Sequence, residues 1–140
     1  MRRFIVWMLI MGLTLCASAR AAVEWGRSYR AGLEKAKTEK KLVMIDLYAD
    51  WCGPCKILDK NTFGNKDVEA RLSNQFDTVK IDLDKSPEAK ELAKKFDVNA
   101  IPHVIFLDAD GRRLSDIVGY VPPDEFLKEM DGVVKKAARK

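Results

Sequence analysis

Between Ser28 and Lys40 the apolar residues Tyr29, Leu33 and Ala36 recur at helical spacing, with Lys and Glu opposite, which predicts an amphipathic helix. The next segment, "LVMIDLYA" (Leu42–Ala49), is apolar almost throughout. Such a run suits a strand buried on both faces, interrupted only by Asp46. "PCKILDKNTF" has helical composition, with Pro54 placed where a first helical turn tolerates it. "NKDVEARLSNQF" continues as a second helical piece, capped by Asn65 and turning Val68 and Leu72 inward. "DTVKIDLD" (Asp77–Asp84) points Val79, Ile81 and Leu83 inward as a second strand. Ser86 and Pro87 then open a helix running to about Phe96. "HVIFLD" reads as a third strand, and the turn signal "DADG" (Asp108–Gly111) joins it to "RRLSDIVGY" as a hairpin. Pro123, Asp124 and Glu125 start a closing helix with Phe126, Leu127, Met130 and Val134 on its inner face.

Long apolar strands separated by helices imply an α/β fold, a mixed central sheet covered by helices on both faces. The first two strands, joined through helices, are expected to be parallel with a right-handed crossover, and the last two antiparallel. Between the first strand and the next helix stands "WCGPCK", a place where sheets of this kind favour binding and catalytic groups.

A chain of 140 residues that is 47% hydrophobic can build one core without disulfide scaffolding. The formal charge of +4 overstates its basicity. Of 25 basic residues, Arg2, Arg3 and Arg20 lie in the first 21 positions, leaving 22 against 21 acidic residues beyond them. A near-neutral domain with no basic stretch interleaved with aromatics gives no reason to expect nucleic acid as a partner. The closing "KKAARK" suits the C-terminal end of a helix dipole.

Residues 1–21 read differently. Two arginines precede an apolar run from Phe4 to Cys16, and small residues follow with Ala17-Ser18-Ala19 or Ala19-Arg20-Ala21 as A-x-A cleavage sites. The run is short beside the roughly 20 residues of a membrane span. A cleaved export signal at 1–21 and a single domain at 22–140 are expected, which places the protein in the periplasm. The minor alternatives are a lipoprotein made through Cys16 and an N-terminal membrane anchor.

Without the signal, the cysteines are Cys52 and Cys55. An inert staple, a metal clip and a working redox couple all use such pairs. A bridge closing so short a loop removes little chain entropy, which disfavours the staple. At a helix start, the i to i+3 spacing brings both sulfurs to one side of the first turn. Unpaired amides and the positive dipole end favour a thiolate on Cys52. Pro54 stiffens the turn without removing a needed donor, and Gly53 separates it from Cys52. Cys52 is therefore expected to be an exposed nucleophile of lowered pKa and Cys55 its shielded resolver. Asp46 in an apolar strand is costly unless paired or functional. Buried there, its pKa should be raised, which suits a proton acceptor for Cys55.

"WCGPCK" resembles the active-site motif of the thioredoxin family. Asp46, six residues before Cys52, stands where that family carries a buried acid, and Lys80 in "KIDLD" looks like its pairing lysine. "AIPH" places Pro102 at the family's cis-proline, and Gly119 in "VGY" resembles the glycine after the last strand. "DLYADWC", with Tyr48 where cytosolic members usually carry tryptophan, and "LEKAKTEKK" are similar to the exported branch that includes the periplasmic domain of DsbD. The resemblance implies a thioredoxin fold with an extra N-terminal helix, spanning Leu42 to about Met130 and most of the chain after the signal. It implies catalytic roles for Cys52, Cys55, Asp46 and Lys80. Trp51, Gly53 and Pro54 complete the motif, and the Ile101 backbone beside a cis Pro102, with Gly119, would receive an extended substrate strand. The sole histidine, His103, follows that proline where thioredoxins often have threonine. It is a half-buried strand residue, a tuner of the thiolate or a third metal ligand.

The expected function is thiol–disulfide exchange, with reduction of protein disulfides through a mixed disulfide at Cys52, no cofactor beyond the cysteine pair, and a monomeric chain. Gly53-Pro54 resembles the reducing members. A reductant in an oxidising compartment needs recharging, so the resemblance implies a membrane electron donor of the DsbD or CcdA type. Cytochrome c maturation is among the processes it would serve. The alternatives are a dithiol oxidase or isomerase and, from another class, a soft-metal site formed by Cys52, Cys55 and His103.

Overall fold

The computed structural model describes residues 22–139. The elements are β1 (Trp25–Gly26), α1 (Tyr29–Glu39), β2 (Leu42–Tyr48) and α2 (Gly53–Ile57), which runs on as a π-helix (Leu58–Phe63). There follow α3 (Lys66–Gln75), β3 (Phe76–Asp82), α4 (Ala89–Lys95), β4 (His103–Leu107), β5 (Arg113–Val118) and α5 (Pro123–Ala138). The sheet order is β1-β3-β2-β4-β5. β3 is parallel to β1 and β2, while β4 is antiparallel to both β2 and β5.

β2 is central, and its two faces feed two cores. Val43, Ile45 and Leu47 join Val79, Ile81, Ile105 and Leu107 beneath Tyr29 and Ala36 of α1 and Leu92 of α4. Met44 joins Phe76, Val104 and Phe106 beneath Leu58, Val68, Leu72, Phe126 and Met130 on the other side. That double burial is the reason the strand is apolar throughout, and it leaves Asp46 inside the protein. Ser28 caps α1, its hydroxyl accepting from the Ala31 N–H, and Asn65 caps α3.

Three expectations are corrected. β3 runs from Phe76 to Asp82 rather than from Asp77 to Asp84; Val79 and Ile81 face the core as expected, Leu83 packs there from beyond the strand's end, and Asp77 and Thr78 are buried as well. The helix after β3 starts at Ala89, because Ser86 and Pro87 form a turn in which Ser86 Oγ accepts from the Glu88 N–H. On α5 it is Val133 rather than Val134 that is fully buried, since helix rotation leaves Leu127 and Val134 at the flanks of the stripe. Strand β1, unforeseen, extends the sheet by two residues paired to Thr78 and Val79. The expected export signal at 1–21, Cys16 included, lies outside the described residues. No helix among those described is long and apolar enough to cross a membrane.

Helix α1 lies close on the sheet at Gly32, where an added methyl would stand 2.5 Å from Val79 Cγ2. Val79 is buried and β-branched, so it has no room to turn away. Gly32→Ala is accordingly expected to lower the unfolding free energy by about 1–3 kcal/mol. The readout is a lower urea midpoint at unchanged slope; an unaltered midpoint would mean that α1 slides off the sheet at little cost.

Candidate active site

The chain leaves β2 at Tyr48 and turns through Asp50, with the Cys52 N–H donating to the Ala49 carbonyl at 3.1 Å. Cys52 is the N-cap of α2 in extended conformation (φ −79°, ψ 105°), and its Sγ accepts from the Cys55 N–H at 3.2 Å. Pro54 lies within the first turn, where no intrahelical donor is lost. The two sulfurs are bonded, with Cα atoms 5.3 Å apart. In this disulfide form Cys52 is as buried as Cys55, each 3% exposed, under Ala49, Tyr48 and Ile101. The expected exposure of Cys52 is thus corrected: the bonded sulfurs sit beneath apolar neighbours, and attack on them needs a partner that presses against those neighbours.

Asp46 lies on the β2 face shared with Met44, opposite Lys80 of β3 in register. Lys80 Nζ is 3.0 Å from Asp46 Oδ2 and also donates to Asp59 Oδ1 in the π-helix, one turn beyond Cys55. Exposure rises along this chain from 2% for the Asp46 side chain to 16% for Lys80 and 43% for Asp59. A buried carboxylate is thereby connected to solvent through one ammonium. Burial pushes the Asp46 carboxyl up to about 6, against the pull of Lys80. Burial works to lower the Lys80 pKa, but the two carboxylates outweigh it and raise it. Asp46 Oδ1 is buried with no hydrogen-bond partner among the described residues, so one oxygen of the carboxylate is uncommitted.

Pro102 follows a cis peptide bond, and its carbonyl accepts from the Gly119 N–H at 2.8 Å, tying the turn before β4 to the end of β5. Gly119 has φ +89°, a left-handed backbone that suits glycine. Val118 and Tyr120 on either side of it are exposed, as are Trp51 and Ile57 on either side of the cysteines. Trp51, at 71% exposure, lies open while its Nε1 donates to Asp84 Oδ2 at 2.9 Å. These four are the large exposed apolar side chains among the described residues, and Ile101 packs on the cysteines.

The histidine is fully buried rather than half-buried, because β4 is an inner strand. His103 Nε2 lies 2.8 Å from Asp116 Oδ2, so its ring is committed to β5. Among the described residues no group of three or more His, Cys, Asp or Glu is arranged to hold a metal ion. Asp59, Asp84 and Asp116, the acids that hold Lys80, Trp51 and His103, were not foreseen. Asp59 had a legible signal, standing four residues after Cys55 on the same helical face. The other two depend on loop and hairpin geometry.

A family model described as a thioredoxin-like domain matches residues 29–133. A thiol:disulfide interchange protein DsbD of Colwellia psychrerythraea is 34% identical over 109 residues, covering 74% of this chain and 17% of that protein, so the chain spans about a sixth of that relative's length. A thioredoxin of Mycoplasmoides gallisepticum is 35% identical over 101 residues, covering 72% of this chain and 92% of that one. Among solved structures, the DsbD C-terminal domain of Neisseria meningitidis in its oxidised form superposes with a TM-score of 0.65 at 25% identity, covering 77% of this chain and 97% of that domain.

Proposed function

Because this chain belongs to the thioredoxin-like family of thiol–disulfide oxidoreductases, we propose that it reduces protein disulfides, with Cys52 as attacking thiolate and Cys55 as resolver. The observation that carries the reading is a cysteine pair capping a helix, with a carboxyl held near 6 on the strand that leads into it. Asp46 takes the proton of Cys55 when the mixed disulfide resolves. Lys80 steadies the Asp46 carboxylate before that transfer, and Trp51 with Ile101, Val118 and Tyr120 offers an apolar rim for a polypeptide substrate. The Ile101–Pro102 turn and Gly119 form the wall against which an extended substrate segment lies.

The reducing direction is supported by Gly53-Pro54, as in the reducing members of the family. Export is supported by the arginine, apolar and small-residue succession of residues 1–21 and by the likeness to DsbD. A reductant in an oxidising compartment is kept charged by a membrane dithiol donor, and we place this chain after such a donor of the DsbD or CcdA type, delivering electrons to oxidised cysteine proteins, apocytochrome c included.

Equilibration with glutathione tests the direction. The Cys52–Cys55 couple is expected at about −250 mV or below, in the range of reducing members. A potential above about −180 mV would assign the chain to oxidation or isomerisation instead.

A further inference from the structure

The Lys80 ammonium has neighbours that the redox chemistry described above does not use. Its Nζ lies 4.5 Å from the Tyr48 ring centroid, 5.1 Å from that of Trp25 and 5.7 Å from that of Phe63. All three are within the roughly 6 Å at which an aromatic face attracts a cation. Tyr48 ends β2 and Phe63 ends the π-helix, so both belong to the scaffold of the site. Trp25 does not: it comes from the two-residue strand at the sheet edge, ahead of α1. Its position is nevertheless built. Trp25 pairs in register with Thr78, whose hydroxyl donates to the Glu24 carbonyl at 2.8 Å, and its ring packs on Phe63 at 5.1 Å between centroids.

We propose that Trp25 is a positioning residue of the redox site: its indole closes an aromatic cage that holds the Lys80 ammonium against Asp46. Without that face, the ammonium has two other places to go. Asp59, more exposed, already accepts from it. Tyr48 and Lys80 also line a cavity of about 450 Å³, together with Arg27, Asp50, Asp82 and Lys85. Asp46 faces Lys80 across β3 and apolar Val104 across β4, and Asp59 stands behind the lysine. Lys80 is therefore the cation that holds the Asp46 carboxylate ionised. Movement of the ammonium toward Asp59 or the cavity weakens that hold and raises the pH at which Asp46 gives up its proton. The short strand β1 thus sets the proton affinity of a base on β2, two strands away across the sheet and 21 residues along the chain.

The inference rests on the proposed role of Asp46, but its test reads Asp46 whether or not the protein reduces anything. In the full chain with both cysteines reduced, the Asp46 carboxyl is titrated by carbon-13 NMR in wild type, Trp25→Phe and Trp25→Leu. Phenylalanine keeps an aromatic face and leucine fills the space without one. The leucine variant is expected to titrate roughly half a pH unit to one unit higher, and the phenylalanine variant close to wild type. In a Lys80→Met background, Trp25→Leu is expected to leave the midpoint where it is. Trp25→Met supplies a second non-aromatic filling should the leucine variant not fold. A leucine variant that titrates like wild type makes Trp25 simple packing and overturns the proposal. So does a phenylalanine variant that shifts as far as leucine, or a leucine shift that survives the loss of Lys80. Absent disulfide reductase activity with the shift intact would instead sink the functional reading and leave the cage standing.

Discussion

Cys52→Ser is expected to abolish disulfide reduction, a loss of roughly a thousandfold or more, while Cys55→Ser leaves a protein that attacks once and stops. The two variants differ because the proposed reduction has two displacements. The Cys52 thiolate attacks one sulfur of the substrate disulfide, forming a Cys52–substrate bond and expelling the other substrate sulfur as a thiolate, which takes a proton. The Cys55 thiolate then attacks Cys52 Sγ and expels the second substrate thiol. Two electrons have passed to the substrate, and the chain is left with the disulfide seen in this structure. A serine hydroxyl at position 52 is a far weaker nucleophile and cannot form the first bond. A serine at position 55 permits that bond and removes the group that breaks it. Insulin reduction with dithiothreitol reads the loss, and mass spectrometry of the Cys55→Ser protein reads the trapped adduct. Undiminished turnover in Cys52→Ser, or adducts forming on Cys55 instead, would remove the assignment of roles. The position of Cys52 as helix cap, with its sulfur already accepting the Cys55 amide, makes it the sulfur whose negative charge the helix start supports.

How much of this was legible in the sequence follows from how local each determinant is. The unbroken apolar run of β2 announced a strand covered on both faces, since only that environment leaves no side for polar residues. The cysteine spacing, Pro54 and the helix behind them are set within one turn of chain and were read in place. Asp46 was visible as the one charge inside that run. Lys80 was legible through the family resemblance, but its further partner and that of Trp51 were not, because they come from distant elements: Lys80 reaches Asp59 over 21 positions and Trp51 reaches Asp84 over 33. The packing of the helix on the sheet and the path of the loops decide such contacts, and composition carries no trace of them. The π-helical stretch was missed because its residues, "LDKNTF", have ordinary helix-forming character. The wider turn shows where the Gly64 N–H reaches back five residues to the Asp59 carbonyl. The late start of α4 misled for the opposite reason: Ser-Pro has the right residues for a helix start, yet here they make the turn before it.

Asp46→Asn is expected to slow resolution about a hundredfold at pH 7 and to make the folded protein more stable at the same pH. Both effects come from the carboxyl being held near 6 by burial against an ordinary 3.8. A folded-state pKa raised above the unfolded value means the folded protein binds the proton more tightly. That advantage is full below the unfolded pKa and is lost as pH rises through about 4 to 6, beyond which the folded protein carries a buried carboxylate. Two units of displacement correspond to on the order of 3 kcal/mol, and asparagine escapes this penalty because it has no proton to lose. Lys80 would keep Asp59 as partner, so the substitution does not leave its ammonium unpaired. In urea unfolding, wild-type stability should therefore fall between pH 4 and pH 6, while the variant stays level and overtakes it. In single-turnover reduction, the wild-type rate should rise through a midpoint near 6 as Asp46 ionises and becomes able to take the Cys55 proton. The variant should instead follow the thiol's own ionisation, near 8.5 for an ordinary cysteine, so that its deficit shrinks at alkaline pH. A variant that loses rate equally at every pH would make Asp46 a structural residue, and one that loses stability at pH 7 would mean that its bond to Lys80 outweighs the desolvation. Opposite signs for stability and rate in one substitution are what a buried base requires, since the same burial that destabilises the carboxylate matches it to a thiol proton near neutrality.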